Sequence, residues 1–410
     1  MEPHSEQRGG KMERLNVREQ AWPLYVTMQI LGVVGLIGTV LLGYFAQDDF
    51  RRFFYSYLTE FLFFLAIALG GLFFVLLQHS TKAGWSVNVR RIAEWFASTL
   101  PMMAVLSAPI VVAVALGRGQ LYPWAGGEFH TTGFKAFYLY PPFFIGRLVL
   151  YFVLWSIMGV WYWKQSVKQD ETGDIELTKR MQWWAPLCLI VFGLSITYAM
   201  WDWIMSLDPV WYSTIFGVYF FGGSTLALLS SLVITVELLQ SKGLLRNSVT
   251  IEHFHDLGKF LFGFTFFWGY IAFSQYMLLW YGNIPAETGW YLRHGASTLH
   301  PNGFSPVVIA LLFGHFLIPF PGMFSRYVKR NPKFLLFWAI WILAFCWLDM
   351  FWLVMPQFDN GIFHFGLIDF AAFVGIGGIF VAFVVRKASH DSVRPMRDPR
   401  LADSLAFENY

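Results

Sequence analysis

Ten separate apolar runs mark this 410-residue chain, and each is about 20 residues long, enough to cross the hydrocarbon of a bilayer as a helix. Backbone polar groups find no water in hydrocarbon, so such runs must satisfy their hydrogen bonds internally, and helices do this segment by segment. The runs predict helices near 22–46, 53–78, 92–117, 142–163, 184–206, 212–240, 257–282, 304–324, 334–355 and 367–386. The chain therefore reads as an all-α polytopic membrane protein, with an N-terminal segment 1–21, a ten-helix domain 22–386 and a tail 387–410. The first segment is polar and leads straight into a full-length run, so no cleavable signal is expected. The tail is expected to lie on the surface or to be disordered. Composition agrees: 56% of residues are hydrophobic and 20% aromatic, while only 13% are charged, about half the usual share in soluble domains. A soluble fold could not hide that much apolar surface.

Charge placement gives an orientation. Of the 29 Lys and Arg, 22 fall in the termini and the loops after helices 2, 4, 6 and 8, and 5 in the loops on the other side. The positive-inside rule then puts both termini in the cytoplasm. The basicity is thus topological, and no nucleic-acid partner is expected.

An internal repeat is also visible. Helix 5 carries Asp202 in an aromatic stretch with Pro209 seven residues on, and helix 9 carries Asp349 with Pro356. Helices 4 and 8 open with Pro142-Phe143-Phe144-Ile145 and Pro306-Val307-Val308-Ile309, and helices 2 and 6 both end in Leu-Leu-Gln. Long loops at 118–141 and 283–303 follow helices 3 and 7. The repeat units are 53–206 and 212–355, each of four helices, so both enter the membrane from the same side. Two parallel four-helix bundles (helices 2–5 and 6–9) flanked by helices 1 and 10 are expected, unlike the inverted repeats of many transporters.

Metal-ligating residues are sparse at depth. Of ten His, only His315 lies mid-membrane, whereas His79, His130, His253, His255, His294, His300 and His364 fall in loops or helix ends. Cys188 and Cys346 stand alone in separate helices. Haem needs facing axial ligands and iron–sulfur clusters need grouped thiolates, so no metal or cofactor is expected on this chain itself.

The acids Glu60, Asp202, Asp349 and Asp369 and the base Arg147 lie within the predicted helices, toward the outer side. Ser274 and Tyr276 of helix 7 add polar groups at similar height. A charge at depth costs about 2.5–3.5 kcal/mol even on lenient scales, so such residues mark proton or ion paths, or pair into a structural clamp with Arg147. Arg147 and Tyr151 share one helix face. When helices 4 and 8 are matched, Tyr151 aligns with His315, but Arg147 aligns with Leu311. The candidates for a proton path are Asp202, Asp349, His315, Arg147, Tyr151, Glu60, Ser274 and Tyr276, with no catalytic residue assigned. Gly375-Ile376-Gly377-Gly378 and Gly32, Gly35 and Gly38 read as helix-packing surfaces. Pro101, Pro109, Pro319 and Pro321 read as bends, and His253-Phe254-His255-Asp256 as a helix start capped near Asp256.

The segment 201–217 (WDWIMSLDPVWYSTIFG) resembles a signature of the membrane subunits of alternative complex III, in the polysulfide-reductase membrane-subunit superfamily. Asp256-Leu257-Gly258-Lys259, Phe273-Ser274-Gln275-Tyr276, Trp280-Tyr281-Gly282-Asn283-Ile284-Pro285 and Leu348-Asp349-Met350 with Trp352 and Met355-Pro356 extend the likeness. It spans helices 2–10. The resemblance implies an integral subunit of a respiratory or photosynthetic quinol:cytochrome c oxidoreductase in the bacterial inner membrane. Two such subunits occur in that complex. The length and compact termini here look more like the F-type subunit, to which the family assigns proton-conducting paths, than the C-type subunit, which binds quinol. Quinone (menaquinone), iron–sulfur clusters and c-type haem are then expected in partners: the homologous quinol-binding subunit, an iron–sulfur subunit, multihaem cytochrome c subunits and small membrane subunits. The alternatives are the quinol-binding subunit itself, a proton-coupled secondary transporter, and a purely structural anchor.

Overall fold

The computed structural model describes residues 18–127, 132–297 and 299–408; most of the predicted N-terminal segment and His130 lie outside them. All regular structure among the described residues is helical. Ten helices are long and apolar enough to cross a membrane: α1 (Ala21–Phe45), α2 (Arg51–Ser80), α3 (Val87–Ala115), α4 (Pro141–Thr172), α5 (Ile175–Leu207), α6 (Phe216–Ser241), α7 (Ile251–Gly282), α8 (Ser305–Gly322), α9 (Pro332–Gln357) and α10 (Leu367–His390). An even number of crossings returns the chain to the end where it began, here called the basic face.

α2 and α6 form the spine. Both are buried along most of their length and pack on each other, and their close approach needs Gly70, because a Cβ there would run into the Ser224 carbonyl. The helices α3, α4 and α5 pack on α2 as a first ring; α7 and α9 pack on α6, and α8 lies against α7 and α9, as a second. α9 also packs on α2, and α5 on α6, which fuses the two rings. α1 lies outside against α10. Gly32 and Gly35 there face Gly378 and Gly375, and a Cβ on Gly35 would come 2.5 Å from the Gly375 nitrogen. These are the glycines expected to serve helix packing.

Two helices are interrupted where proline predicts it. In α3 the helix breaks near Ser98 and Ser107, and Pro101 and Pro109 sit in the first turn of the next piece. At the breaks the carbonyls of Trp95, Phe96 and Ala104 accept from the hydroxyls of Ser98, Thr99 and Ser107, adding local hydrogen bonds where the helical pattern is interrupted. α8 has a π-helical turn from Leu311 to Leu317 before Pro319 and Pro321.

Three expectations need correction at the basic face. α7 starts at Ile251, six residues before the predicted start, and its cap is Thr250: the Thr250 backbone N–H donates to His253 Nδ1 at 3.1 Å. Asp256 instead pairs with Lys259 inside the helix. α3 likewise starts at Val87, so Arg90 and Arg91, read as loop cations, lie buried in its first turns. The tail is neither loose nor merely surface-lying. Asp391 accepts from the indoles of Trp95 (3.1 Å) and Trp163 (2.6 Å), and Asp398 pairs with Arg90. Ser404 bonds Asn88, His253 and the Trp85 carbonyl. These partners belong to α3, α4, α7 and the turn before α3, so the tail crosses both rings. Polar composition concealed this, because every polar tail residue named here is used to satisfy a buried polar or charged group.

Candidate proton-conducting site

The four buried acids Glu60, Asp202, Asp349 and Asp369 divide into two classes by what holds them. Asp202 and Asp369 each face a guanidinium. Arg147 Nε and Nη2 donate to the two oxygens of Asp202 at 2.9 and 2.7 Å, and the Tyr151 hydroxyl donates at 2.8 Å. Arg147 Nη1 also donates to the Tyr138 carbonyl at 2.8 Å, with the guanidinium over the Tyr138 ring. A planar fork meeting a carboxylate side-on is the strongest geometry available to such a pair. Asp369, in the first turn of α10, pairs with Arg52 and accepts from Ser56 Oγ at 2.7 Å and from the Gly366 backbone N–H at 2.8 Å.

Asp349 and Glu60 have no cation among the described residues. Asp349 is completely buried and accepts from the Tyr219 hydroxyl on α6 and, at 3.2 Å, from the Trp268 indole on α7. Glu60, on α2, is equally buried and takes both its contacts, at 3.0 and 2.8 Å, from the indole of Trp347 on α9. Removing a carboxylate from water without a counter-charge is costly. Neutral donors alone hold these two.

His315 adjoins Asp349 through a shared ring. The imidazole packs on Trp268 with centroids 3.9 Å apart, and Trp268 is the residue that donates to Asp349. His315 Nε2 lies 3.7 Å from Cys346 Sγ, while Nδ1 is buried without a hydrogen-bond partner. Cys346 and Asp349 are three apart on α9 and therefore share a face. The π-helical turn on α8 includes His315. Such turns add one residue per repeat and re-aim a side chain, and they recur at functional sites.

No protein-family model matches the chain, and no curated protein matches it either. Any functional reading therefore rests on the residues themselves.

Six of the eight predicted site residues end up in three places. Arg147, Tyr151 and Asp202 meet directly. Asp349 and His315 are joined through Trp268. Glu60 lies across α9 from them, on Trp347. Ser274 and Tyr276 are not brought to either aspartate: Ser274 Oγ donates to the Tyr270 carbonyl of its own helix, and the Tyr276 ring packs on Tyr291. The matched positions Tyr151 and His315 also diverge, since Tyr151 bonds its aspartate and His315 does not. Tyr219, Trp268 and Trp347 were not singled out in the sequence, and Cys346 was read there only as a thiol standing alone in its helix. In a chain with 19 Trp and 18 Tyr, spacing alone gives none of them prominence.

Outside the spans, the short helix Pro285–Arg293 carries a second buried imidazole just after its end. His294 is fully buried, stacked on Trp290 with centroids 3.5 Å apart, and its Nδ1 contacts the Trp290 carbonyl at 2.7 Å. Burial pushes its pKa down to about 3.

Proposed function

We propose that this chain is an integral subunit of a membrane quinol:electron-acceptor oxidoreductase of the alternative-complex-III type, and that its second ring provides a proton-conducting path. The observation that carries the reading is Asp349, a buried carboxyl with no cation against it among the described residues, joined through Trp268 to the His315 imidazole on a π-helical turn. A guanidinium would lock such a carboxyl as an anion, whereas hydroxyl and indole donors leave it free to take up and release a proton. Asp202 has the opposite setting and acts as a clamp that holds α4 to α5. Quinol oxidation releases protons, and a relay built of Asp349 and His315 suits their passage. Redox centres and quinone belong, on this reading, to partner subunits, and the basic face lies in the cytoplasm of a bacterium. The long helix 5–7 motif supports the family assignment.

The test is Asp349→Asn in the assembled complex, with turnover and proton release followed in proteoliposomes. At least a tenfold fall in coupled turnover is expected, with haem and iron–sulfur content unchanged. Unchanged turnover together with unchanged proton release refutes the proposal.

A further inference from the structure

α9 and α10 both pack on α2 but do not pack closely on each other. The gap between them is an elongated crevice of about 650 Å³, within the range of ligand pockets. Along α10 its lining runs from Asp369 to Val385, a rise of about 24 Å, most of a hydrocarbon core about 30 Å thick. Phe63 and Phe64 form part of the floor, and Leu343, Ala344, Val381 and Phe373 part of the walls.

The crevice offers nothing polar to an occupant. Four polar residues line it, and each is already engaged. Ser231 and Thr235 donate to carbonyls of their own helix at 2.7 Å. Trp347 donates to Glu60, and Asp369 is held by Arg52, Ser56 and the Gly366 N–H. A polar headgroup or a peptide loop here would leave its own donors and acceptors unsatisfied. A whole helix is too large, since a 10 Å cylinder of this length fills roughly 1,900 Å³. A single hydrocarbon chain remains. At the basic end, Arg386 follows Val385 in sequence and Lys242 lies one turn beyond Leu238. Both are exposed, and neither is in a salt bridge among the described residues. Cations at that level attract anionic lipid.

We propose that the crevice binds one acyl chain of an anionic phospholipid from the leaflet at the basic face, with the headgroup held by Arg386 and Lys242. Native mass spectrometry of the full-length chain in its native assembly, after a delipidating detergent wash, tests this. One retained phospholipid per chain is expected, enriched in phosphatidylglycerol or cardiolipin. The crevice-filling variants Ala344→Trp and Val381→Phe should each cut retention at least fivefold, while Ile309→Trp on the exposed face of α8 should not. The double variant Arg386→Gln/Lys242→Gln should keep a lipid but lose the anionic preference. Unchanged retention in the filling variants, or a retained quinone in place of phospholipid, overturns the proposal. If those variants do not fold, wild-type protein is labelled with phosphatidylglycerol bearing a diazirine on its acyl chain. Label concentrated on 340–347 and 381–385 supports the assignment, and label spread evenly over the lipid-facing helices overturns it.

Discussion

Arg147 and Asp202 hold each other in a setting where neither could stand alone. Breaking a buried pair from one side costs about 3–5 kcal/mol, because the remaining charge stays behind. Arg147→Ala should therefore lower the unfolding midpoint of the solubilised protein sharply, and Arg147→Gln/Asp202→Asn should recover most of the loss. Equal midpoints for the single and double variants would show that the pair contributes nothing. His294 gives a pH dependence with a definite sign. Its folded pKa, about 3, lies below the usual value of about 6.5, so between these limits the unfolded chain binds the extra proton. Stability is then fully present above about pH 6.5 and falls as pH drops toward 3, by up to about 1.4 kcal/mol per pH unit. His294→Phe keeps a ring on Trp290 and should flatten that slope in denaturation curves recorded across the window. At this scale the sequence was informative about charge and mute about its partners. That Arg147 and Tyr151 share a face, and that Arg147 could clamp a buried acid, were legible because charges are rare at depth; that the acid is Asp202 was not. Trp268 and Tyr219 could not, because indoles and phenols crowd every helix and only tertiary packing selects the two that reach Asp349.

Among the elements, α8 is the one that depends most on a local departure from α-helical geometry. Gly314 lies within the π-helical turn, and a Cβ there would collide with the Phe345 ring of α9. Its carbonyl accepts from the Trp341 indole at 2.7 Å. Overpacking of this kind costs about 1–3 kcal/mol. Gly314→Ala should thus destabilise the contact of α8 with α9 and displace His315, and adding Phe345→Ala should relieve the clash. Thermal unfolding of the two variants side by side checks it; a Gly314→Ala protein as stable as wild type would mean that the turn adapts freely. Helix existence was legible throughout, since ten long apolar runs leave little choice. Helix ends were not. α4 continues nine residues past its predicted end to Thr172, through Lys164, Lys168 and Asp170, until Gly173 turns left-handed with φ 68°. Hydropathy marks where hydrocarbon stops, whereas a helix stops where its backbone is capped. The π-helical turn had no signature beyond the prolines that follow it.

For the molecule as a whole, the tail decides how the basic face is closed. Arg90 and Arg91 are balanced by Glu94 from their own helix, by Asp170 from α4, and by Asp398 from the tail. Truncation after His390 removes Asp391, Asp398 and Ser404 together and leaves Arg90 and the indoles of Trp95 and Trp163 short of acceptors. Such a variant should unfold at lower temperature and become open to proteolysis near Val87. Protease sensitivity identical to wild type would show that the tail adds no closure. Ten long apolar helices were foreseeable from the hydropathy runs, but a polar tail carries no hydropathy signal, so its docking was not. Order of synthesis gives that docking a temporal meaning. Residues 391–408 are the last described part of the chain to leave the ribosome, yet they bind groups on α3 that were made some three hundred residues earlier. Until that segment emerges, Arg90 has only Glu94 of its own helix to face, so a chain that stops at His390 lacks this part of the closure.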